Sequence, residues 1–175
     1  MTKENTESAL EIAKLKKICN AIMGLPLSQI NRAADMLMLG FGQIRPVKDG
    51  EVSDWSLHFL CSWRLLGPSG IITGHRDLWE PVDEEDWSED WDYESGNLQD
   101  ERILEFFNFS GEKYFVEDIA VKNCGDLEVL LSGGYKIETF LNHTFGDAWL
   151  IFEPGDLNSF FHMDQDLSKA LFSAK

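Results

Sequence analysis

Four short runs of strand-type sequence follow one another in the C-terminal half of the chain and constrain its fold more than any other feature. They read KYFVEDIAVKN, DLEVLLS, YKIETFL and AWLIFEP, and the turn sequences CGD and SGG separate the first three. β-Branched residues such as Val129 and Ile137 suit the pleated surface of a sheet. A parallel pair of strands needs a long crossover connection, whereas these connections are short. The four runs therefore predict an antiparallel sheet.

Three further strand patterns precede this group. SLHFLCSWRL, residues 56–65, alternates and predicts one half-buried strand, with Leu60 interrupting its polar face. Its apolar face consists of Leu57, Phe59, Cys61, Trp63 and Leu65. GPSG, residues 67–70, has turn chemistry, and IITGHRDLW after it predicts the returning strand of a hairpin. MLMLGFG, residues 36–42, predicts a buried strand in which Gly40 and Gly42 mark a bulge or a close backbone approach.

Other segments have helical patterns. Residues 6–23 place apolar side chains near one helical face, and Gly24 with Pro26 provides a stop signal. SQINRAAD predicts a short helical turn, and QDERILEFFNF a short middle helix. The tail GDLNSFFHMDQDLSKALF predicts an amphipathic helix on the apolar residues Leu157, Phe160, Phe161, Leu167 and Leu171.

These elements together predict a single α+β domain over residues 1–175. We expect a largely antiparallel, curved sheet of about seven strands. The N-terminal helix would occupy residues 1–24, an acidic loop excursion residues 80–101, and the C-terminal amphipathic helix residues 155–175.

The charge of the chain limits the class of partner. Its 31 acidic and 15 basic side chains give a net charge of −16. Nucleic acids and anionic membranes are polyanions, so we expect neither as a partner, whereas a basic protein would be attracted. The polar start MTKENTES lacks the apolar core of a signal peptide, and no apolar run approaches the roughly eighteen residues of a membrane span. We therefore expect a cytoplasmic protein, and its oligomeric state stays open.

Cysteine, histidine and glycine spacings predict no cofactor and no metal. The three cysteines form no CxxC pair, and the four histidines have no HxxxH or HExxH spacing. Residues 90–101 match the acidic positions of an EF-hand loop, but Ser95 stands where that loop needs glycine. HRDL, residues 75–78, lacks the asparagine that a kinase catalytic loop carries five residues after its aspartate.

The acidic stretch at residues 80–101 contains no lysine or arginine and includes Trp87, Trp91 and Tyr93. Aromatic anchors among steering charges are typical of protein interfaces. The stretch therefore predicts a partner-binding surface in its first half, formed by Glu84, Glu85, Asp86, Trp87, Glu89 and Asp90. The alternative is a solvated loop that is extended by its own charge.

A second candidate site consists of Arg64, His75, Arg76, Asp77, Asp100 and Arg102. Arg64 and Arg76 lie on strands that we expect to be adjacent, and nearby carboxylates can neutralise both. Two interpretations stay open. One is a structural ion-pair network, in which desolvation offsets the Coulomb attraction. The other is a site that binds an anion or a partner's carboxylate through bidentate arginine contacts.

Several motifs together resemble a family of small, uncharacterised bacterial proteins. They are LHFLCSWRL, GHRDLWEP, WDYESGNLQDERI, LSGGYKIETF and AWLIF, preceded by LPLSQINRAADMLMLGFG, and they cover about residues 24–153. The family has no known activity, so the resemblance implies no catalytic residue. It implies that the family pattern includes Trp63, Arg64, Arg76, Asp77, Asn97 and Asp100. It also implies that Trp91 and Asp100 are core and helix-cap residues. Leu150 departs from the pattern, which has arginine there.

Three functions remain as hypotheses. The leading one is a non-enzymatic, acidic binding protein of the immunity or inhibitor type, which neutralises a basic protein partner. The alternative is an enzyme or small-ligand binder with a pocket on the sheet near Arg64, Arg76 and His75. The third is a structural or oligomerising module that docks through its tail helix.

Overall fold

The computed structural model describes residues 3–83, 91–94, 96–108, 114–122, 124–156 and 158–173. Within these ranges the α-helices are α1 (Lys3–Ile22), α2 (Leu98–Asn108) and α3 (Gln165–Ser173). The strands are β1 (Leu27–Ala33), β2 (Met36–Phe41), β3 (Arg45–Val47), β4 (Gly50–Val52), β5 (Trp55–Phe59), β6 (Ser62–Gly67), β7 (Gly70–Gly74), β8 (Val116–Val121), β9 (Leu127–Leu131), β10 (Tyr135–Phe140), β11 (Asp147–Phe152) and β12 (Phe161–Asp164). A 3-10 helix spans His75–Trp79.

The strands form two five-stranded antiparallel sheets that share one hydrophobic core. Sheet I has the strand order β1-β2-β5-β11-β12, and sheet II has the order β7-β6-β10-β9-β8. β3 and β4 form a separate hairpin. The α+β class and the antiparallel pairing are confirmed. The single sheet of about seven strands is wrong, because the inward faces of two smaller sheets cover each other.

The chain changes sheet inside the alternating run 56–65. β5 ends at Phe59 in sheet I and β6 begins at Ser62 in sheet II, so this run forms two strands instead of the predicted one. Leu60, at the break, is 45% exposed, and its N–H donates to the carbonyl oxygen of Ala148 at 2.9 Å. The apolar face stays buried through the break at Leu57, Phe59, Cys61, Trp63 and Leu65. Alternation therefore continues across the bend and conceals it.

The segment SQINRAAD lies mostly in strand β1, so the predicted helical turn is wrong. β1 pairs antiparallel with β2, and Ala34, at a φ of 53°, stands in the tight turn between them. Ile30 packs against the core. As the edge strand of sheet I, β1 forms ladder hydrogen bonds with β2 through the backbone groups that face it.

The tail needs a similar correction, because the helix predicted for residues 155–175 is limited to α3. Before it, β12 pairs antiparallel with β11 at the edge of sheet I. Phe161 and Met163 are fully buried, while His162 between them is exposed. This period of two places both large side chains in the core, which a helix could not do with residues 161 and 163.

Helix α1 packs against the core through Leu15, Ile18, Cys19 and Ile22. Gly24 follows the helix in the left-handed region, at a φ of 75°. Its N–H donates to the carbonyl oxygen of Val116 at 2.8 Å and ties the helix end to β8. No helix in the described part of the chain is long and apolar enough to cross a membrane.

Candidate functional site

The predicted partner-binding residues Glu84, Glu85, Asp86, Trp87, Glu89 and Asp90 lie outside the described residues. The structure shows how the chain on either side of them is held. The N–H of Leu98 donates to the carbonyl oxygen of Glu80 at 2.9 Å, so the chain leaves and re-enters the fold at one point. We call residues 81–97 the acidic loop. It contains eight acidic side chains and no basic one.

An ion pair between Arg32 and Asp100 lies beside the end of the acidic loop. The Arg32 Nε donates to both Asp100 carboxylate oxygens, at 2.7 and 2.9 Å, and its Nη2 donates to Oδ2 at 2.7 Å. The Arg32 side chain is 18% exposed and that of Asp100 44%. This bidentate geometry joins β1 to the first turn of α2, across 68 positions of sequence.

Asn97 caps helix α2 and fixes the last residues of the acidic loop. Its Oδ1 accepts a hydrogen bond from the N–H of Asp100 at 2.8 Å. Its Nδ2 donates at 2.8 Å to both the Asp100 carboxylate and the carbonyl oxygen of Tyr93. The side chain therefore satisfies a backbone donor that the helix leaves unpaired at its start, and it binds the loop at the same time.

Aromatic rings complete this region. The Arg32 guanidinium lies 5.7 Å from the centre of the Tyr93 ring, and Trp79 contacts Tyr93 edge-to-face at a centroid distance of 5.0 Å. Trp91 donates from Nε1 to the carbonyl oxygen of Gly96 at 3.1 Å, a contact within the loop. Trp79 is 39% exposed and offers an accessible ring next to the loop. We call Arg32, Tyr93, Asn97 and Asp100 the loop base.

The loop base remains charged at neutral pH. Burial raises the pKa of Asp100, but the hydrogen bonds from Arg32 and Asn97 and the charge of Arg32 outweigh it, so the net shift is downward. The hydrogen bond to Asp100 raises the pKa of Arg32 despite partial burial. The two groups thus hold each other in their ionised forms.

Arg64, from the second candidate site, lies in a different ion-pair group. Its Nε and Nη2 contact Glu138 Oε2 at 2.7 and 2.6 Å, and its guanidinium lies 4.8 Å from the centre of the Phe140 ring. Lys136 contacts Glu138 at 2.5 Å and Glu128 at 3.3 Å. These charges alternate across β6, β10 and β9, which is the arrangement of a structural network.

Arg76 and Arg102 make their own separate contacts. Arg76 lies in the 3-10 helix His75–Trp79 rather than on the expected strand, is 81% exposed, and pairs with Glu80 at 3.4 Å. Arg102 donates to the carbonyl oxygen of Ile72 at 3.5 Å. The exposed ion pair between Arg76 and Glu80 contributes little to stability.

Asp77 and His75 have structural surroundings. The Asp77 carboxylate accepts from the Thr73 hydroxyl at 2.9 Å and from the Gly74 N–H at 3.3 Å, so it fixes the start of the 3-10 helix. His75 Nδ1 and Trp63 Nε1 are buried, and neither has a hydrogen-bond partner among the residues that the structure describes. The six residues of the second candidate site are therefore divided among separate contacts, and Asp100 belongs to the loop base.

Burial raises the pKa of the Cys19 and Cys61 thiols to about 11, so both are protonated and weakly nucleophilic at neutral pH. Within the ranges that the structure covers, no group of three or more His, Cys, Asp or Glu side chains could hold a metal ion.

Comparison of the chain with models of protein families, with curated proteins and with solved structures gives no match. The resemblance to the bacterial family therefore stays a hypothesis. Sequence reasoning missed Arg32 as the partner of Asp100. Its signal in the sequence is weak: a lone arginine in a segment that pairs as a strand, which must find a carboxylate if it is largely buried.

Proposed function

We propose that this protein is a non-catalytic binding protein that grips a basic protein partner with its acidic loop. The observation that carries the proposal is the construction of the loop base. An ion pair, a helix cap and a backbone hydrogen bond hold the two ends of the acidic loop, with its eight acidic side chains, at one point of the domain. These contacts give the acidic loop a fixed place of attachment on the domain.

Charge gives the partner its chemistry. Residues 80–101 contain 11 acidic side chains, and the chain has 31 in all. Two of the 11, Glu80 and Asp100, pair with Arg76 and Arg32 outside the loop. The acidic loop contains no lysine or arginine that could neutralise its negative charge. Such a concentration of one sign accelerates encounter with a cationic surface and selects against anionic ones.

Aromatic side chains give the surface its anchors. Trp79 is partly exposed beside Tyr93, and Trp87 stands in the middle of the acidic sequence. Tryptophan and tyrosine are the residues that most often dominate binding energy at interfaces. An immunity- or inhibitor-type protein, which covers the active surface of a basic enzyme, would use this combination.

The test compares two sets of charge-neutralising substitutions in the full chain. The loop set is Glu84→Gln, Glu85→Gln, Asp86→Asn, Glu89→Gln and Asp90→Asn. The matched control set removes five charges from exposed acids elsewhere: Asp35→Asn, Asp49→Asn, Glu105→Gln, Glu117→Gln and Glu153→Gln. Both proteins have the same net charge, so a difference between them reports the position of the charges.

Affinity capture from lysates of the cells that produce the protein is the first measurement, and titration with the purified captured protein is the second. We expect wild type and control set to capture the same basic protein, and the loop set to bind it at least tenfold more weakly. Trp87→Ala should weaken it further by increasing the dissociation rate. Equal affinity of the two charge sets, or capture of no basic protein by wild type, would contradict the proposal.

A further inference from the structure

The outer face of sheet I carries an open cleft of about 300 Å³, far in sequence from the acidic loop. Polar side chains line it on both sides of strand β2. Gln29 and Asn31 project from β1, and Ser56 and His58 project from β5. The register places Gln29 and Ser56 beside Gly40, where the Ser53 side chain covers the strand, and it places Met38 between Asn31 and His58. We call this site the outer cleft.

The hairpin β3–β4 and the end of β11 form the walls of the outer cleft. Glu51 lines it from β4, and Pro154 lines it from the segment that follows β11. Arg45 Nη2 donates to the carbonyl oxygen of Pro154 at 2.9 Å and links the hairpin to the other wall. At the root of the hairpin, the buried Ser53 hydroxyl donates to Gln29 Oε1 at 2.8 Å. The walls are therefore tied to the floor.

Three polar side chains in the outer cleft have no hydrogen-bond partner among the described residues. They are the side chains of Asn31, Ser56 and His58. His58 packs edge-to-face on Phe152 at a centroid distance of 5.0 Å. Burial lowers the pKa of His58, so its ring is neutral at pH 7 and offers one donor and one acceptor. Side chains with this capacity in a concave site fit a polar ligand.

The lining also specifies the charge of the ligand. Carboxamide, hydroxyl and neutral imidazole groups both donate and accept, and so do the hydroxyl groups of a polyol. Glu51 is the charged residue that lines the cleft, and the chain carries a net charge of −16, so both disfavour an anion. The Phe152 ring can contact the apolar C–H face of a sugar. A volume of about 300 Å³ is at the lower end for ligand pockets.

We propose that the outer cleft binds an uncharged, polyhydroxylated ligand of monosaccharide size, with Asn31 and His58 on opposite sides of β2 as its principal hydrogen-bonding residues. None of the residues that line this site belongs to the acidic loop.

The test uses the full chain labelled with ¹⁵N and a panel of defined probes. The neutral probes are glucose, galactose, mannose and inositol, and the comparison probes are glucuronate, adenosine and choline. NMR titration should show saturable shifts of the Asn31 and Gln29 side-chain amides with at least one neutral polyol, at a Kd of about 0.1–10 mM. Glucuronate should bind at least tenfold more weakly.

Two substitutions should weaken that binding roughly fivefold each, since each removes a hydrogen bond: Asn31→Ala and His58→Phe. His58→Phe keeps a ring beside Phe152. The matched control is His162→Phe, because His162 lies in the same cross-strand row, beyond Leu150, but outside the cleft lining. It should change affinity less than twofold. The proposal is overturned if no neutral polyol gives saturable shifts at 50 mM, if adenosine, choline or glucuronate binds as tightly, or if His162→Phe is as damaging as His58→Phe.

Discussion

Asp100→Asn removes one charge from the loop base and leaves its shape nearly unchanged. Asparagine has the size of aspartate, and its backbone N–H can still donate to Asn97 Oδ1. What disappears is the anion that accepts three hydrogen bonds from Arg32. The Arg32 side chain is only 18% exposed, so the substitution leaves a largely buried cation without its counter-ion.

The expected cost lies between those of two well-defined cases. Removing one partner of a fully buried pair costs about 3–5 kcal/mol, whereas an exposed pair contributes about 0–1 kcal/mol. Asp100 is 44% exposed, so solvent screens its interaction with Arg32 considerably. We therefore expect a loss of about 2 kcal/mol in the free energy of unfolding. For a chain of 175 residues, this corresponds to a decrease in Tm of about 4–8 °C.

The sign of the pH dependence follows from the pKa of Asp100. Burial raises the pKa of Asp100, but the hydrogen bonds from Arg32 and Asn97 lower it by a larger amount. The pKa of Asp100 in the folded state therefore lies below its pKa in the unfolded state. The stabilisation is therefore complete above the unfolded-state pKa of about 3.9 and is lost as pH falls through the folded-state pKa. The difference between wild type and Asp100→Asn should be constant from about pH 5 to 7 and shrink in more acidic solution.

Thermal unfolding followed by circular dichroism at pH 7, 5 and 3 measures both quantities. Glu105→Gln is the matched control, because Glu105 is an exposed acid on the same helix. It should change Tm by less than about 2 °C. Equal Tm values for the two variants at pH 7 would refute the role of the ion pair. A deficit of Asp100→Asn that is as large at pH 3 as at pH 7 would refute its electrostatic origin.

Two further predictions concern the packing of the domain. Gly40→Ala should lower the free energy of unfolding by about 2–4 kcal/mol in urea titrations, because the added methyl would overlap with the Ser53 side chain and disturb its hydrogen bonds. A stability within 0.5 kcal/mol of wild type would contradict this close contact. In a thiol titration with Ellman's reagent at pH 8, exposed Cys124 should react first, and buried Cys19 and Cys61 only after unfolding. Rapid reaction of all three thiols in the folded protein would contradict their burial.

Local patterns predicted the strands well wherever turn residues separate them. The runs that become β8, β9 and β10 are bounded by glycine-containing turns, and each pairs with the next as expected. The hairpin of β6 and β7 closes around residues 68 and 69, as its turn sequence predicts. In these places the chemistry of a few adjacent residues determines the pairing, so the sequence contains the necessary information.

Sheet number and site composition depend on contacts between distant residues. Periodicity shows that Leu57 and Trp63 both face a core, but it does not show that they approach that core from different sheets. For a similar reason, the sequence did not show which partners the residues of the second candidate site would have. The carboxylate of Asp100 pairs with Arg32, 68 positions earlier, and Arg64 pairs with Glu138, 74 positions later. The residues next to a charged side chain in the sequence do not indicate which distant residue will pair with it.

The tail offers a direct test of strand against helix by single substitutions to alanine. A strand from Phe161 to Asp164 buries alternate residues, so Phe161→Ala and Met163→Ala should each cost about 3 kcal/mol. Phe160 is 40% exposed and His162 is exposed, so their replacement should cost less than about 1 kcal/mol each.

A continuous amphipathic helix would bury Phe160 and Phe161 together and expose Met163 on another face. The losses in the free energy of unfolding, measured by urea titration, therefore distinguish the two structures. For the strand, the loss should be small at residue 160, large at 161, small at 162 and large at 163. High costs at Phe160 and Phe161 with a low cost at Met163 would refute β12. The strand result also bears on function, because a tail that completes sheet I cannot leave the domain to dock elsewhere without exposing Trp149, the fully buried partner of Met163.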